Sequence, residues 1–237
     1  MKSYKPKVFV DFDGTITKQD VGNAFFRKFG NEAESMKAVA QWKSGEISGR
    51  DLLLTEASTA EVTESAAEKF VDGFEIDPTF RIFFDFCREE GIEMSILSDG
   101  LAFYIERILS SNGIAGVPVY SNSSHFKNGG IAIEFPYESE CTKCANCKGY
   151  QILTQTGADD IIVYVGNGFS DRCAVQYADI VFAKDELLKY CEESNITYFP
   201  FNTFEEVRAK FSKILGSGKL RKRHRAELKR REAYLSE

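Results

Sequence analysis

No run of 18 apolar residues occurs in the chain, so nothing in it reads as a membrane-spanning helix. A cleaved secretory leader is not expected either. Met1-Lys2-Ser3-Tyr4-Lys5-Pro6-Lys7 has no apolar core and runs directly into a strand bearing candidate catalytic groups. Cleavage would remove those groups, and the expected compartment is the cytoplasm. Internal repeats and low-complexity linkers are absent, and 237 residues suit one large domain or a core with a smaller insert. Tryptophan is reduced to Trp42, expected to pack among helices. Cationic excess is missing too: the net charge is −6, an unfavourable balance for binding nucleic acid. That charge is uneven, because residues 217–237 carry eight Lys and Arg against three Glu. The basic run from Lys219 through Arg225 reads as a solvated helix or a frayed end.

Hydrophobic residues make up 43 % of the chain and include twenty Phe, enough to fill extensive helix–sheet interfaces. The most informative segment is Val8-Phe9-Val10-Asp11-Phe12-Asp13-Gly14-Thr15. It reads as a buried strand ending in two carboxylates and a glycine turn. Strand side chains alternate, so Asp11 and Asp13 start on one side, at the end where open α/β sheets bind ligands. Two such carboxylates repel unless a cation or a shared proton lies between them. The pair therefore suits a Mg²⁺ site, and equally an acid working beside a nucleophile.

Further along, apolar runs alternate with helical periodicity, which predicts an α/β fold with a doubly wound parallel sheet. Strands are expected at 7–11, 92–97, 117–121, 161–165, 180–183 and 197–201. A hairpin is expected around Asn128-Gly129-Gly130. Residues 17–76 show helical periodicity and no strong strand, so they read as a helical cap inserted after the first strand. The catalytic core is then 1–16 with 77–215, and 216–237 form a basic helical or disordered tail. Ser98, with Asp99 and Gly100, closes a strand where a helix begins, and a hydroxyl beside free N–H groups there makes an anion site.

The segments Asp11-Phe12-Asp13-Gly14-Thr15, Leu97-Ser98-Asp99-Gly100, Cys147-Lys148-Gly149 and Gly166-Asn167-Gly168-Phe169-Ser170-Asp171 resemble, in order, the four motifs of the haloacid dehalogenase phosphatase superfamily. The helical segment between the first two motifs resembles the phosphoserine-phosphatase-like branch. The resemblance implies a Mg²⁺-dependent phosphomonoester hydrolase. Asp11 would be the nucleophile, Asp13 the acid and base, and Lys148 the neutralising cation. Phe12, Ser98, Asp99 and Gly100 would bind phosphate, Asp20 would contact substrate, and Asp11, Asp13, Asn167 and Asp171 would serve the metal. The family usually has Asp where this chain has Asn167, and an amide ligates Mg²⁺ without bringing charge. Weaker metal affinity, or a phosphate-binding protein of reduced activity, follows as an alternative.

The cap stretch Leu52–Ala57 lacks the arginine that holds the carboxylate in phosphoserine phosphatases. The run Cys141-Thr142-Lys143-Cys144-Ala145-Asn146-Cys147 is similar to the methionine-salvage phosphatases acting on 2-hydroxy-3-keto-5-methylthiopentenyl-1-phosphate, and to phosphocholine and phosphoethanolamine phosphatases. The expected partner is a small phosphate ester, with no nucleic acid, no membrane, and a monomer or homodimer. For the cysteines three readings stand: structural zinc with a fourth ligand from Cys173, Cys191 or His125, a disulfide, or thiols buried as small apolar groups.

Overall fold

The computed structural model describes residues 4–218 and 220–235, and Lys219, at the head of the basic run, lies outside them. In chain order the elements are β1 (Lys5–Val10), α1 (Val21–Phe29), α2 (Glu32–Ser44), α3 (Gly49–Thr59), α4 (Glu64–Val71), α5 (Phe80–Glu89), β2 (Glu93–Leu101), α6 (Ala102–Ser111) and β3 (Val119–Lys127). There follow β4 (Gly130–Glu134), α7 (Lys148–Gln155), β5 (Asp160–Gly166), α8 (Ala174–Tyr177), β6 (Ile180–Ala183), α9 (Asp185–Glu193), β7 (Phe199–Pro200), α10 (Phe204–Gly216) and α11 (His224–Leu235). They sort into two compact units. The first takes the chain up to Asp11, then Asp77–Leu97 and everything from Lys148; the second takes Phe12–Ile76 and Ser98–Cys147. Among the described residues no helix is long and apolar enough to cross a membrane.

In the first unit the sheet runs β2-β1-β5-β6-β7, and every neighbouring pair is parallel. Val8 lies between Met94 and Val163. From Ile161 to Val165 no residue of β5 is more than 1 % exposed, as a parallel strand covered on both faces requires. Phe80 and Phe83 of α5 meet Phe204 of α10 with ring centroids 4.9 and 5.7 Å apart. Thr203 gives α10 no side-chain cap. The N–H groups of Phe204 and Glu205 donate instead to Asp77 and Thr79, each at 3.1 Å.

The basic run differs from its expectation, because α11 is docked. Arg230 pairs with the buried carboxylate of Asp179 at 3.0 Å, and the Arg223 N–H donates to the same group at 2.9 Å. The Arg223 Nε donates to the Ala178 carbonyl at 2.9 Å, and Arg230 reaches the Tyr177 carbonyl. These carbonyls close α8, where helical partners run out and cations offset the helix dipole. A helix without an apolar stripe is thus held by polar bonds, a mode that hydrophobic periodicity does not report.

In the second unit, α1 to α4 each begin on a capping side chain: Asp20, Asn31, Ser48 and Thr63. Thr17 and Ile76 pair in an antiparallel bridge, so the helical segment leaves and returns at one point. Phe25, Phe29, Phe70 and Phe103 form its aromatic centre, with Phe25 5.1 Å from Phe29 and 5.4 Å from Phe103. β3 and β4 form the expected hairpin, turning at Asn128 (φ 53°) and Gly129 (φ 78°). β3 is one strand over Val119–Lys127, where the sequence suggests two separate pieces.

Glu56 of α3 is 5 % exposed, and its carboxyl is 2.5 Å from the Ser35 hydroxyl. Burial pushes its pKa from 4.5 up to about 7, against the Ser35 hydrogen bond and with help from Asp20. The folded state therefore holds the Glu56 proton more tightly than the unfolded chain, and stability falls as pH rises from 4.5 through about 7. Glu56→Gln keeps an acceptor for Ser35 without the charge. It should stabilise the protein by about 2 kcal/mol near pH 8 and by almost nothing near pH 3.5, measured by thermal unfolding at both.

Candidate active site

The candidate groups divide between the two units, and each set is built separately. In the first unit, β1 carries Asp11 just past its end, with the Asp11 N–H donating to the Val165 carbonyl at 2.9 Å. Asp11 is 4 % exposed, so an uncompensated carboxylate there would be costly. Compensation comes from the first residue of α7. Lys148 is fully buried, and its Nζ lies 2.5 Å from Asp11 Oδ1, 2.6 Å from Asp171 Oδ1 and 3.0 Å from Ser170 Oγ. One ammonium thus joins two carboxylates that the chain places 160 residues apart.

Asp171 is held from every side. Besides Lys148, its Oδ1 accepts the Tyr164 hydroxyl at 2.6 Å, and its Oδ2 accepts the N–H groups of Asn167 at 2.9 Å and Gly168 at 2.8 Å. Those four donors fill the carboxylate's acceptor positions. Burial, then the charges of Asp171 and Asp11, push the Tyr164 phenol well above its ordinary value, so it stays protonated and donates. Gly166 has to be glycine, because a Cβ there would lie 2.5 Å from Asp171 Oδ2. Asn167 is half-buried and follows β5 directly, at a strand's C-terminal end. Lys184 lies near Asp11 in charge but is drawn to the Phe201 ring at 5.2 Å, and burial lowers its pKa.

In the second unit Asp13 is the centre. Its Oδ1 accepts the N–H groups of Val21 at 3.0 Å and Gly22 at 3.3 Å, at the N-terminus of α1. Its Oδ2 accepts the Tyr104 hydroxyl at 2.8 Å and the Ser98 hydroxyl at 3.3 Å. Burial first, and then the charges of Asp13 and Asp20, raise the Tyr104 phenol well above its ordinary value. Gly100 also has to be glycine, since its Cβ would lie 2.6 Å from Asp13 Oδ2 and closer still to the Tyr104 hydroxyl. The Gly100 N–H donates to Ser98 Oγ at 2.9 Å, fixing that hydroxyl.

Other predicted residues occupy supporting positions. The Phe12 ring is fully buried and tilts against Tyr104 at 6.2 Å, so only its backbone is available to an anion. The Asp99 carboxylate accepts the Asn146 N–H at 2.8 Å. Asp20 caps α1 through the Asn23 N–H at 2.8 Å. Cys141, Cys144 and Cys147 come together, with their Sγ atoms all within 4.8 Å of one another, and no fourth ligand joins them among the described residues. His125 instead stands 3.6 Å from Glu134 across the hairpin. Tyr104 and Tyr164 are the members of the candidate site that sequence reasoning misses. Both sit at apolar positions of regular elements, and the only signal is a hydroxyl that burial obliges to find a partner.

Comparison with known proteins bears on both sets. The family described as Putative Phosphatase matches residues 7–188. A 2-hydroxy-3-keto-5-methylthiopentenyl-1-phosphate phosphatase of Brevibacillus brevis is 33 % identical over 210 residues, covering 86 % of this chain and 94 % of its own length. The protein of the same name from Bacillus cereus is 30 % identical over 213 residues, covering 88 % and 97 %. A phosphoserine phosphatase solved as a phospho-aspartyl intermediate analogue superposes with a TM-score of 0.66 at 18 % identity, covering 88 % of this chain and 99 % of that one. A cytosolic 5'-nucleotidase IIIB bound to cytidine superposes with a TM-score of 0.61 at 16 % identity, covering 91 % and 87 %. The likeness to solved structures gives the haloacid-dehalogenase α/β fold, and the match over residues 7–188 gives the kinship: the chain belongs to the Putative Phosphatase family.

Proposed function

We propose that this protein is a Mg²⁺-dependent phosphomonoester hydrolase working through an aspartyl-phosphate on Asp11. The observation that carries the reading is the buried Lys148 ammonium, 2.5 Å from Asp11 and 2.6 Å from Asp171. A carboxylate taken out of water sheds the hydration that blunts its attack, and the fixed cation beside it draws in an anionic phosphate ester. Asp11 attacks phosphorus in line, forming the carboxylate–phosphorus bond as the ester oxygen leaves with a proton from Asp13. Water then loses a proton to Asp13 and attacks the same phosphorus, releasing phosphate and restoring Asp11. Lys148 and Ser98 hold the phosphoryl oxygens through the transfer, and their preorganised charge supplies much of the rate.

The oxygen donors of Asp11, Asp13 and Asn167 suit a hard cation, and these residues would hold Mg²⁺. When bound, the ion supplies charge stabilisation to the transferring phosphoryl group. Asp171, whose acceptor positions are filled by protein donors, keeps Lys148 and the 167–168 backbone in place. The substrate best supported is 2-hydroxy-3-keto-5-methylthiopentenyl-1-phosphate, on the names of the relatives that match along almost their whole length. Phosphoserine is disfavoured, because the cap stretch offers the buried acid Glu56 and no arginine. A cytoplasmic setting belongs to the same reading.

Phosphate release from a panel of small phosphomonoesters should require Mg²⁺, with the pentenyl ester preferred over phosphoserine, phosphocholine and phosphoethanolamine. Asn167→Asp should lower the Mg²⁺ concentration for half-maximal rate by about tenfold, the effect of one added carboxylate ligand. A binder without turnover would release no phosphate from any ester. Lys148→Met should lose about 10²–10³-fold in rate and about 3–5 kcal/mol of stability at neutral pH, because it leaves Asp11 and Asp171 buried without their cation. Chemical denaturation should show part of that stability returning at low pH, where the carboxyls take up protons.

A further inference from the structure

We propose that Cys141, Cys144 and Cys147 form a three-thiolate site for one zinc ion, whose fourth position is open to solvent. The three Sγ atoms lie within 4.8 Å of one another on a stretch of seven residues. A tetrahedral zinc with bonds of about 2.3 Å sets its sulfurs about 3.8 Å apart, so the trio closes on the ion with small side-chain movements. Soft thiolates select zinc over Mg²⁺, which keeps the site chemically separate from the oxygen donors of the phosphatase centre. Cys-x2-Cys-x2-Cys also serves [4Fe–4S] clusters, but there each thiolate binds its own iron, which holds the sulfurs farther apart in space than one shared ion does. Binding is an exchange without redox change: three thiols form three Zn–S bonds and give three protons to solvent.

The surroundings give the ion a task. Residues 141–147 contain no helix and no strand. They are fastened at two places. The Gly49 N–H donates to the Lys143 carbonyl at 2.9 Å, a contact a side chain would spoil because a Gly49 Cβ would lie 2.8 Å from Ala145 N. Asn146, 1 % exposed, lies between the second and third cysteines in the chain. Its N–H donates to Asp99 at 2.8 Å, and its Nδ2 donates to the carbonyls of Ser98 at 3.0 Å and Tyr120 at 2.8 Å. A metal tying the cysteines together therefore braces the turn that holds the phosphate-binding Ser98. The same brace ends one residue before Lys148 in the chain. Backbone without secondary structure has a large ordering entropy to overcome, and a metal crosslink supplies a compensating term.

Metal content and cobalt uptake test this without any assay of hydrolysis. The full chain purified under reductant should carry one zinc. After chelation it should bind Co²⁺ with a thiolate-to-cobalt charge-transfer band, and zinc should displace that band. Cys144→Ser should lose the band and the zinc, while Cys173→Ser keeps both. Reloading the chelated protein with zinc should raise its Tm by about 5 °C. If Cys144→Ser does not fold, Cys141→Ser and the wild-type titration carry the test. Fully reduced wild type that takes up neither zinc nor Co²⁺ overturns the proposal, as does a thiol count showing a disulfide within the trio. Metal uptake with no phosphate release would instead count against the phosphatase reading and leave the zinc site standing.

Discussion

The buried ammonium of Lys148 is the constraint on which the first unit's chemistry depends. Burying Asp11 and Asp171 without it would leave two desolvated charges, a cost of several kcal/mol each. Much of the local sequence serves that one ion. Tyr164 is buried in β5 because its hydroxyl completes Asp171. Gly166 is small so that the carboxylate can turn back onto the 167–168 amides. Ser170 fills a further position on the ammonium. The two carboxylates and the ammonium together leave one net negative charge at the end of β1.

Asp13, two residues on, has different company: a helix N-terminus and two hydroxyls. Two carboxylates of one motif thus have different environments, one beside the Lys148 ammonium and the other tied to hydroxyl donors. Gly100 makes the second environment by letting Tyr104 and Asp13 approach each other. The helices of the second unit fix α1, whose first N–H groups are part of the same arrangement.

The places of the strands, the hairpin and the charged members of the candidate site were legible in the sequence, because period-2 and period-3.6 patterns report burial and because Asp, Lys and Gly are conspicuous at strand ends. Three things were not. Tyr104 and Tyr164 occupy apolar positions, and periodicity cannot tell a ring packed for its area from one packed for its hydroxyl. The docking of α11 was hidden because carbonyl groups of α8 receive Arg223 and Arg230, and backbone acceptors leave no trace in residue identity. Asp171 reads as a metal ligand from its place in a motif, whereas its carboxylate is filled by four protein donors. Charge pattern showed that these groups matter, and only coordinates showed which atom each one serves.

The central claim is covalent chemistry at Asp11, and rapid-quench mass spectrometry on the working enzyme tests it most directly. Acid quench during turnover of the preferred ester, followed by peptide mapping, should find one added phosphoryl group on the peptide carrying Asp11, discharged by hydroxylamine and absent from Asp11→Asn. Steady release of phosphate with that peptide unmodified at every quench time, and undiminished in Asp11→Asn, would contradict the account.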